Sequence, residues 1–227
     1  LCSTCHLRVQ LFLRFRFQGP RRINSCMMPR MKRGSGILLA ISSLPGRFGI
    51  GTLGEGARKF VDWLGQSGQA YWQILPISPT GFGDSPYQAF SAFAGNPYFI
   101  DLEDLHREGL LPRGALDLCE SFFASDPDSV DYYAQYLGRP QVLSLAFRHG
   151  AGRLAAGLEA FRKRHQSWLG DYALYMALKG EYEMKPFDQW PEALALRYPA
   201  ALKEAAARLK EQVDYHIFVQ YLSLIHI

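Results

Sequence analysis

The sequence predicts an α/β fold whose parallel sheet is followed by a long helical region. A short continuous apolar run, Gly36–Ile41, is typical of a strand that is buried on both faces. Residues 55–68 then carry apolar side chains at helical spacing, and Tyr71–Leu75, closed by Pro76, is a second strand candidate. Strand, helix and strand within about forty residues form a βαβ unit, which implies a parallel sheet.

A long loop, residues 76–96, follows the second strand and is rich in glycine, proline and aromatic residues. Loops of this length inside compact domains are uncommon and usually functional. From Asp101 onward the pattern is mostly helical, with prolines as boundaries. The predicted helices are 101–109, 140–148, 153–165, 168–183 and 200–221.

The charge of the chain is unevenly distributed. The formal net charge is +4, but residues 1–30 hold six arginines and no acid, which leaves 19 basic and 21 acidic residues in the body. The body therefore gives no electrostatic reason to bind nucleic acid. No run of eighteen apolar residues exists, so the sequence predicts no membrane partner.

The two ends differ from the body in composition. Residues 1–30 lack acids and do not begin with Met, so we interpret them as a non-native leader, translated from upstream DNA, or as a transit peptide. At the other end, residues 223–227 are interpreted as a tail translated from a sequencing adapter. One cysteine in the body, Cys119, offers no disulfide framework, which favours the cytoplasm, or a plastid if the leader is a transit peptide.

Two motifs raise other kinds of site. Cys2 and Cys5 have metal-ligand spacing, but no second Cys or His pair follows, so no metal site is predicted. Gly49–Gly54 matches G-x-G-x-x-G, the pattern of a dinucleotide site. It begins seven residues after the strand candidate and its flanking Ser42, and no acid follows the second strand, which favours a tight turn instead.

The segment Gly81–Gln88 carries the densest chemistry in the chain. It places Phe82, Asp84, Ser85 and Tyr87 on one loop after a parallel strand, where α/β folds build their sites. Aromatic faces and planar polar groups suit a sugar. A structural turn, with Asp84 bonding its own backbone amides, explains the pattern equally well.

Several motifs occur in order and at close spacing, and together they resemble the amylomaltase family of 4-α-glucanotransferases. They are Ser35–Leu39, Ser43–Gly46, Gly49–Gly54, Tyr71–Pro76, Pro79–Gln88, Phe90–Tyr98 and Asp171–Lys179. The resemblance runs from about Gly34 to Tyr221 and is most specific between Pro79 and Tyr98.

The resemblance implies the first part of a (β/α)8 TIM barrel, truncated, with an inserted helical subdomain. Residues 31–104 would form the first βαβ unit with its substrate-binding loop. Residues 105–200 would form the helical insertion, and 201–222 a helix that returns to the barrel. A complete barrel needs about 250 residues, which is more than this chain provides.

The chemistry that the resemblance implies is cofactor-free, retaining transfer of α-1,4-glucan segments between maltooligosaccharides. Its catalytic carboxylates would lie beyond Tyr221, so no catalytic residue is assigned, and a chain of this extent is expected to be inactive. The resemblance implies substrate contacts for Tyr87 and Ser85 at the donor subsites. It also implies a second glucan groove at Phe82 and Tyr136, although Phe82 replaces the tyrosine often found there. The alternatives are a non-catalytic glucan-binding fragment and a related barrel α-glucan hydrolase.

Overall fold

The computed structural model describes residues 12–13, 34–81, 83–123 and 128–225. Its strands are β1 (Phe12–Leu13), β2 (Gly36–Leu38) and β3 (Tyr71–Gln73). Short 3₁₀ helices cover Ile41–Ser43, Pro97–Phe99 and Phe187–Gln189. The α-helices are α1 (Glu55–Gln66), α2 (Leu102–Arg107), α3 (Arg113–Phe122), α4 (Tyr132–Gly150), α5 (Ala155–Arg164), α6 (Leu169–Glu181), α7 (Glu192–Ala195), α8 (Pro199–Arg208) and α9 (Lys210–Ile225).

The predicted βαβ unit is confirmed. β2 and β3 pair in parallel, with Ile37 opposite Trp72, and α1 connects them. The indole N–H of Trp72 donates to the carbonyl of Leu39 at 2.9 Å, which ties the two strand ends together. β1 pairs antiparallel with the other edge of β3, so the strand order is β1–β3–β2.

The prediction that the first strand is buried on both faces was wrong. Leu38 is 59% exposed, whereas Ile37 packs with Trp72, Ala57 and Leu64 of α1 and β3. Among the described residues, helix α1 covers one face of the sheet, and this one-sided cover leaves Leu38 facing outward. The apolar run predicted the strand correctly but overstated its burial, because apolarity alone does not show which faces have a neighbour.

The glycines at 49–54 serve the tight turn that the sequence favoured. Gly49 has a φ of +70°, a conformation that a side chain would strain. Gly51 lies directly against the carbonyl of Ile41, and Gly54 lies against the carboxylate of Asp101, so neither position has room for a Cβ atom. Asp101 itself accepts from the Thr52 hydroxyl at 2.5 Å and caps α2 through the amide of Asp104.

Three of the five predicted helices match the structure, two differ in extent, and α3 and α7 were not predicted. α2, α5 and α6 lie within the predicted ranges. The boundary expected at Pro112 is confirmed, because Pro112 occupies the N-cap position of α3, but the helix that follows it was missed. α4 begins at Tyr132 and continues through Pro140, whose missing N–H falls on the exposed side of the helix.

The predicted single helix at 200–221 is two helices, α8 and α9, that meet at Leu209. The amide of Leu209 still donates to Ala205 at 2.8 Å, so the hydrogen-bond ladder bends rather than stops. The two helices pack against different neighbours, which explains the bend: α8 contacts α6 and α7, and α9 contacts α4, α5 and α6. α9 continues to Ile225, into the predicted tail; the origin of that tail stays a prediction.

The largest core cluster joins the βαβ region to the helices. It includes Phe48 and Ile100 from the first region, Leu116 and Leu143 from α3 and α4, and Phe218 from α9. Helix α9 therefore contacts both the helical region and the segment that follows the long loop. This packing fixes the surroundings of that loop.

The metal site and the membrane-spanning helix, neither of which the sequence predicted, can be searched for only among the described residues. Within residues 34–81, 83–123 and 128–225, no group of three metal-ligating side chains is arranged to hold an ion. In the same ranges no helix is long and apolar enough to cross a membrane. Cys2 and Cys5 lie outside the described residues.

Candidate functional site

Residues 80–89 form a closed hairpin within the long loop. Thr80 and Ala89 form an antiparallel bridge, and the amide of Gly81 donates to the carbonyl of Gln88 at 2.9 Å. The segment from 81 to 88 is thus a closed turn with Asp84, Ser85 and Tyr87 at its tip. Phe82 lies outside the described residues, so its predicted role stays a prediction.

Asp84 has the most unusual environment on the tip. Its φ of +54° lies in the left-handed region, which Asp tolerates better than most residues. Its carboxyl is partly removed from water, and this desolvation raises its pKa, although a hydrogen bond from Thr80 opposes the rise. Asp84 lines a small cavity of about 70 Å³ together with Ser42, Tyr98 and Tyr132.

The alternative interpretation of Asp84, a structural turn in which its carboxyl bonds nearby backbone amides, agrees with only part of this geometry. The amide of Asp84 does donate to the carbonyl of Gly81 at 3.2 Å, as a turn requires. Its carboxyl, however, interacts with the Thr80 side chain, and its negative charge disfavours ionisation of the Tyr98 phenol, which lines the same cavity. The side chain therefore remains placed to meet a ligand, as the binding interpretation requires.

Ser85 and Tyr87 lie further out on the tip. The Ser85 hydroxyl accepts from the amide of Tyr87 at 3.3 Å, and its carbonyl accepts from Gln88 at 3.0 Å. These bonds fix the backbone of the tip while the Tyr87 ring stays 75% exposed. An exposed, well-seated aromatic ring can receive the apolar face of a sugar.

Tyr136 lies on α4 and opens onto a larger cavity of about 360 Å³. The walls of this cavity come from the loop, α4, α6 and α9, and are mostly apolar and aromatic. Its polar side chains come from Thr80, Asn96, Tyr98, Arg139, Tyr172, Tyr215, His216 and Gln220. Burial lowers the pKa of His216 to about 4, so this imidazole is neutral near pH 7.

Tyr98 lines both cavities, together with Thr80 and Asn96. Burial and the nearby Asp84 carboxylate raise the pKa of Tyr98 to about 12, so its phenol stays protonated. The structure therefore places Asp84 and Tyr136 at two cavities with a common lining residue, and Tyr87 on the exposed tip. The sequence analysis did not single out Tyr98, and its aromatic ring after Asn96–Pro97 was the available signal.

Arg139 was not singled out from the sequence, yet it underlies the site. Its side chain is 1% exposed and donates to the carbonyl of Ile100 at 2.9 Å and to the Gln135 amide oxygen at 2.8 Å. Gln135 in turn donates to the carbonyl of Phe48 at 2.7 Å. Burial lowers the Arg139 pKa to about 10, and the guanidinium lies over the Phe123 ring.

The site offers rings, hydroxyls, amides and one carboxylate. A retaining glycosyl transfer needs two carboxyl groups about 5 Å apart. Among the described residues that line the two cavities, Asp84 supplies the sole carboxylate. The described lining of these two cavities therefore has the chemistry that suits a polyhydroxylated ligand, and it holds one carboxylate rather than a pair.

Comparisons with known proteins identify the family to which the chain is similar. The family model described as 4-alpha-glucanotransferase matches residues 39–224. The chain is 46% identical over 197 residues to the 4-alpha-glucanotransferase of Thermus thermophilus, covering 85% of this chain and 38% of that protein. It is 36% identical over 199 residues to the chloroplastic/amyloplastic enzyme of Arabidopsis thaliana, covering 86% of this chain and 34% of that one.

A solved structure is similar over the same region. Amylomaltase from Streptococcus agalactiae, in complex with acarbose, superposes with a TM-score of 0.82 at 38% identity. The match covers 86% of this chain and 39% of that structure. The chain thus spans less than two fifths of the length of these relatives.

Proposed function

This chain belongs to the 4-alpha-glucanotransferase family, and we propose that it forms the glucan-binding part of an enzyme that transfers α-1,4-glucan segments between maltooligosaccharides. The observation that carries the proposal is the shared lining of the Asp84 cavity and the Tyr136 cavity by Thr80, Asn96 and Tyr98, which joins them into one site. The similar amylomaltase of Streptococcus agalactiae was solved in complex with acarbose, which supports a ligand of this class.

The proposed reaction is a retaining double displacement without a cofactor. A carboxylate attacks the anomeric carbon while a carboxylic acid protonates the leaving oxygen, and the 4-hydroxyl of a second glucan then displaces the carboxylate. Asp84 has no carboxylate partner among the described residues that line the two cavities, so we assign it to substrate binding. The catalytic carboxylates of the proposed enzyme come from outside residues 1–227.

Within this proposal, β2 and β3 are the first two strands of a (β/α)8 barrel, and residues 105–200 are a helical subdomain inserted in it. The next strand of such a barrel needs the edge of β3 on which β1 lies antiparallel. The β1 pairing and barrel closure therefore exclude each other. Removing residues 1–30 is expected to leave glucan binding unchanged.

The first experiment measures maltooligosaccharide binding to the purified 227-residue chain by calorimetry. Tyr136→Ala is expected to weaken binding about tenfold, because it removes a ring from the mouth of the larger cavity. Tyr133→Ala is the matched control, since Tyr133 is an exposed tyrosine on the same helix that lines neither cavity. Equal affinities for wild type and Tyr136→Ala would count against the proposal.

The second experiment tests catalysis. Incubation of the same chain with maltotriose is expected to give no longer or shorter products, because bound substrate without a nucleophile retains the main barrier. Conversion of maltotriose by the chain would overturn the placement of the catalytic carboxylates. Release of glucose without chain lengthening, by a longer protein that contains this chain, would favour a hydrolase.

A further inference from the structure

The side chain of Gln220 on helix α9 bonds Gly95, which with Asn96 forms the base of the long loop. This side chain is 1% exposed. Its amide oxygen accepts from the backbone N–H of Gly95 at 2.8 Å, and its amide nitrogen donates to the carbonyl of Gly95 at 3.0 Å. Gln220 therefore satisfies both backbone groups of Gly95, as a hydrogen-bonded residue on a neighbouring strand would.

The backbone of Gly95 also packs closely against helix α9. Gly95 lies so near Ser223 and Leu224 of α9 that a Cβ atom at this position would collide with them. The Ser223 hydroxyl also donates to the carbonyl of Asn96 at 3.4 Å. The backbone of 95 and 96 can thus approach α9 closely only because Gly95 has no side chain.

Hydrogen bonds connect the backbone next to Gly95 with Tyr98, which lines both cavities. The amide of Asn96 donates to the carbonyl of Ile77 at 2.7 Å, and its side-chain oxygen accepts from the amide of Tyr98 at 3.0 Å. Tyr98 lies two residues after Asn96, and both residues line both cavities. Any movement of Gly95 relative to α9 would therefore displace the Tyr98 ring.

We infer that Gln220 is a positioning residue of the glucan site: by holding Gly95 it sets the position of Tyr98 and so the shape of both cavities. This inference rests on the proposed function, since it concerns the binding of the same ligand. Gln220 acts through the loop backbone, and its effect is expected on glucan affinity rather than on any chemical step.

The test replaces Gln220 by Glu, which has the same shape. A protonated carboxyl can still accept from the Gly95 amide and donate to its carbonyl, whereas an ionised carboxylate cannot donate. Burial raises the pKa of a carboxyl, so the change between the two forms falls above the usual range of Glu. Carbon NMR of the labelled Glu carboxyl gives the pH at which it ionises.

The groups that surround Gln220 keep one main protonation state between pH 5 and 9. Residues 91–96 carry no titratable side chain. His216 stays neutral with a pKa of about 4, and burial raises the pKa of Tyr98 and of Tyr215 to about 12. Burial also raises the pKa of Tyr172 well above its usual value, while Arg139, with a pKa of about 10, stays mostly protonated.

We expect Gln220→Glu to bind maltooligosaccharide like the wild type while protonated and about tenfold more weakly once ionised. Gln220→Met, which lacks both hydrogen bonds, is expected to bind about tenfold more weakly at every pH. Gln212→Glu is the matched control, because Gln212 is an exposed glutamine on the same helix. Circular dichroism at each pH restricts the comparison to folded samples.

The outcomes separate this inference from the proposed function. A wild-type chain that binds no maltooligosaccharide would overturn the proposed function and, with it, the premise of the inference. A wild-type chain that binds, together with folded Gln220→Met of equal affinity, would overturn the inference alone. Equal affinity of the protonated and ionised Gln220→Glu would overturn it as well.

Discussion

The base and the tip of the long loop are built in opposite ways. At the base, Gly95 and Asn96 are held by buried partners on α9, and Arg139 lies 1% exposed beneath the next residues. At the tip, Tyr87 is 75% exposed and the hydrogen bonds are local ones within the turn. The base therefore depends on residues far away in the sequence, whereas the tip depends on itself.

The base therefore sets the position of the cavity-lining Tyr98, whereas the tip presents a side chain that a ligand can contact. A buried base whose backbone groups at Gly95 and Asn96 are bonded to α9 can hold Tyr98 in one place, because movement would leave those polar groups without partners. An exposed tip can present a ring to a ligand at little cost to folding, because that ring contributes little to the core. Substitutions at the base should change stability and, through Tyr98, affinity, whereas substitutions at the tip should change affinity with little effect on stability.

Arg139→Ala is expected to have the largest effect on stability, about 3 kcal/mol. It removes the donors for the Ile100 carbonyl and the Gln135 side chain and leaves a cavity beside Phe123. Chemical denaturation measures the free energy of unfolding. Arg148→Ala, at an exposed arginine on the same helix, is the control and should change it by less than about 0.5 kcal/mol. Similar losses in both variants would contradict the proposed role of the base.

Gly95→Ala is expected to cost about 2 kcal/mol, because the new methyl group would collide with Ser223 and force the loop away from α9. Thermal unfolding followed by circular dichroism checks this value. Gly152→Ala is the matched control: a Cβ atom there meets no neighbour within 4 Å, so its stability should be unchanged or slightly higher. A Gly95→Ala variant as stable as the control would show that α9 does not hold the loop.

The substitution Asp84→Asn is expected to change the free energy of unfolding by a smaller amount, and that amount depends on pH. Its pKa is raised in the folded state, so the folded protein binds more protons than the unfolded one just above the ordinary pKa of 3.8. Its contribution to stability is therefore present below that pKa and is lost as the pH rises through the raised value. The stability of Asp84→Asn relative to wild type should increase from pH 3 to pH 7.

Denaturation at each pH measures that difference. Asn tolerates the left-handed backbone that residue 84 requires, so the comparison isolates the charge. A stability difference that does not change with pH would mean that the Asp84 carboxyl is no more desolvated in the folded chain than in the unfolded one.

Tyr87→Ala should have the smallest effect on stability, within about 0.5 kcal/mol, because the ring is mostly exposed. Its effect on maltooligosaccharide affinity should nevertheless be about tenfold, since a stacking surface is lost. Tyr87→Phe keeps the ring and serves as the control for the hydroxyl. An unchanged affinity in Tyr87→Ala would remove the tip from the proposed site.

The sequence predicted the βαβ unit and the position of the loop because both follow from local patterns. An apolar run bounded by Gly and Ser, and helical spacing after Gly54, require no knowledge of distant partners. The same reasoning held at Pro112, which lies at the N-cap of α3, and failed at Pro140, where proline also indicated a boundary. In the structure α4 runs through Pro140, because tertiary packing of its neighbours Arg139 and Leu143 overrides the local preference.

The candidate site divides in the same manner. Asp84, Ser85 and Tyr87 were found from the sequence because they are neighbours on one loop. Tyr98, Arg139 and Gln220 were not singled out, because each is defined by what it contacts. Gln220 lies 125 residues from Gly95, and no local spacing relates the two.

By itself, then, the sequence determined the βαβ unit, three of the helices and the loop on which Asp84, Ser85 and Tyr87 lie. The tertiary structure alone decided that α9 reaches back to the loop and that Tyr98 lines two cavities. The physical reason is that secondary structure follows from periodicities of two to four residues, whereas a buried polar side chain is explained only by its partners.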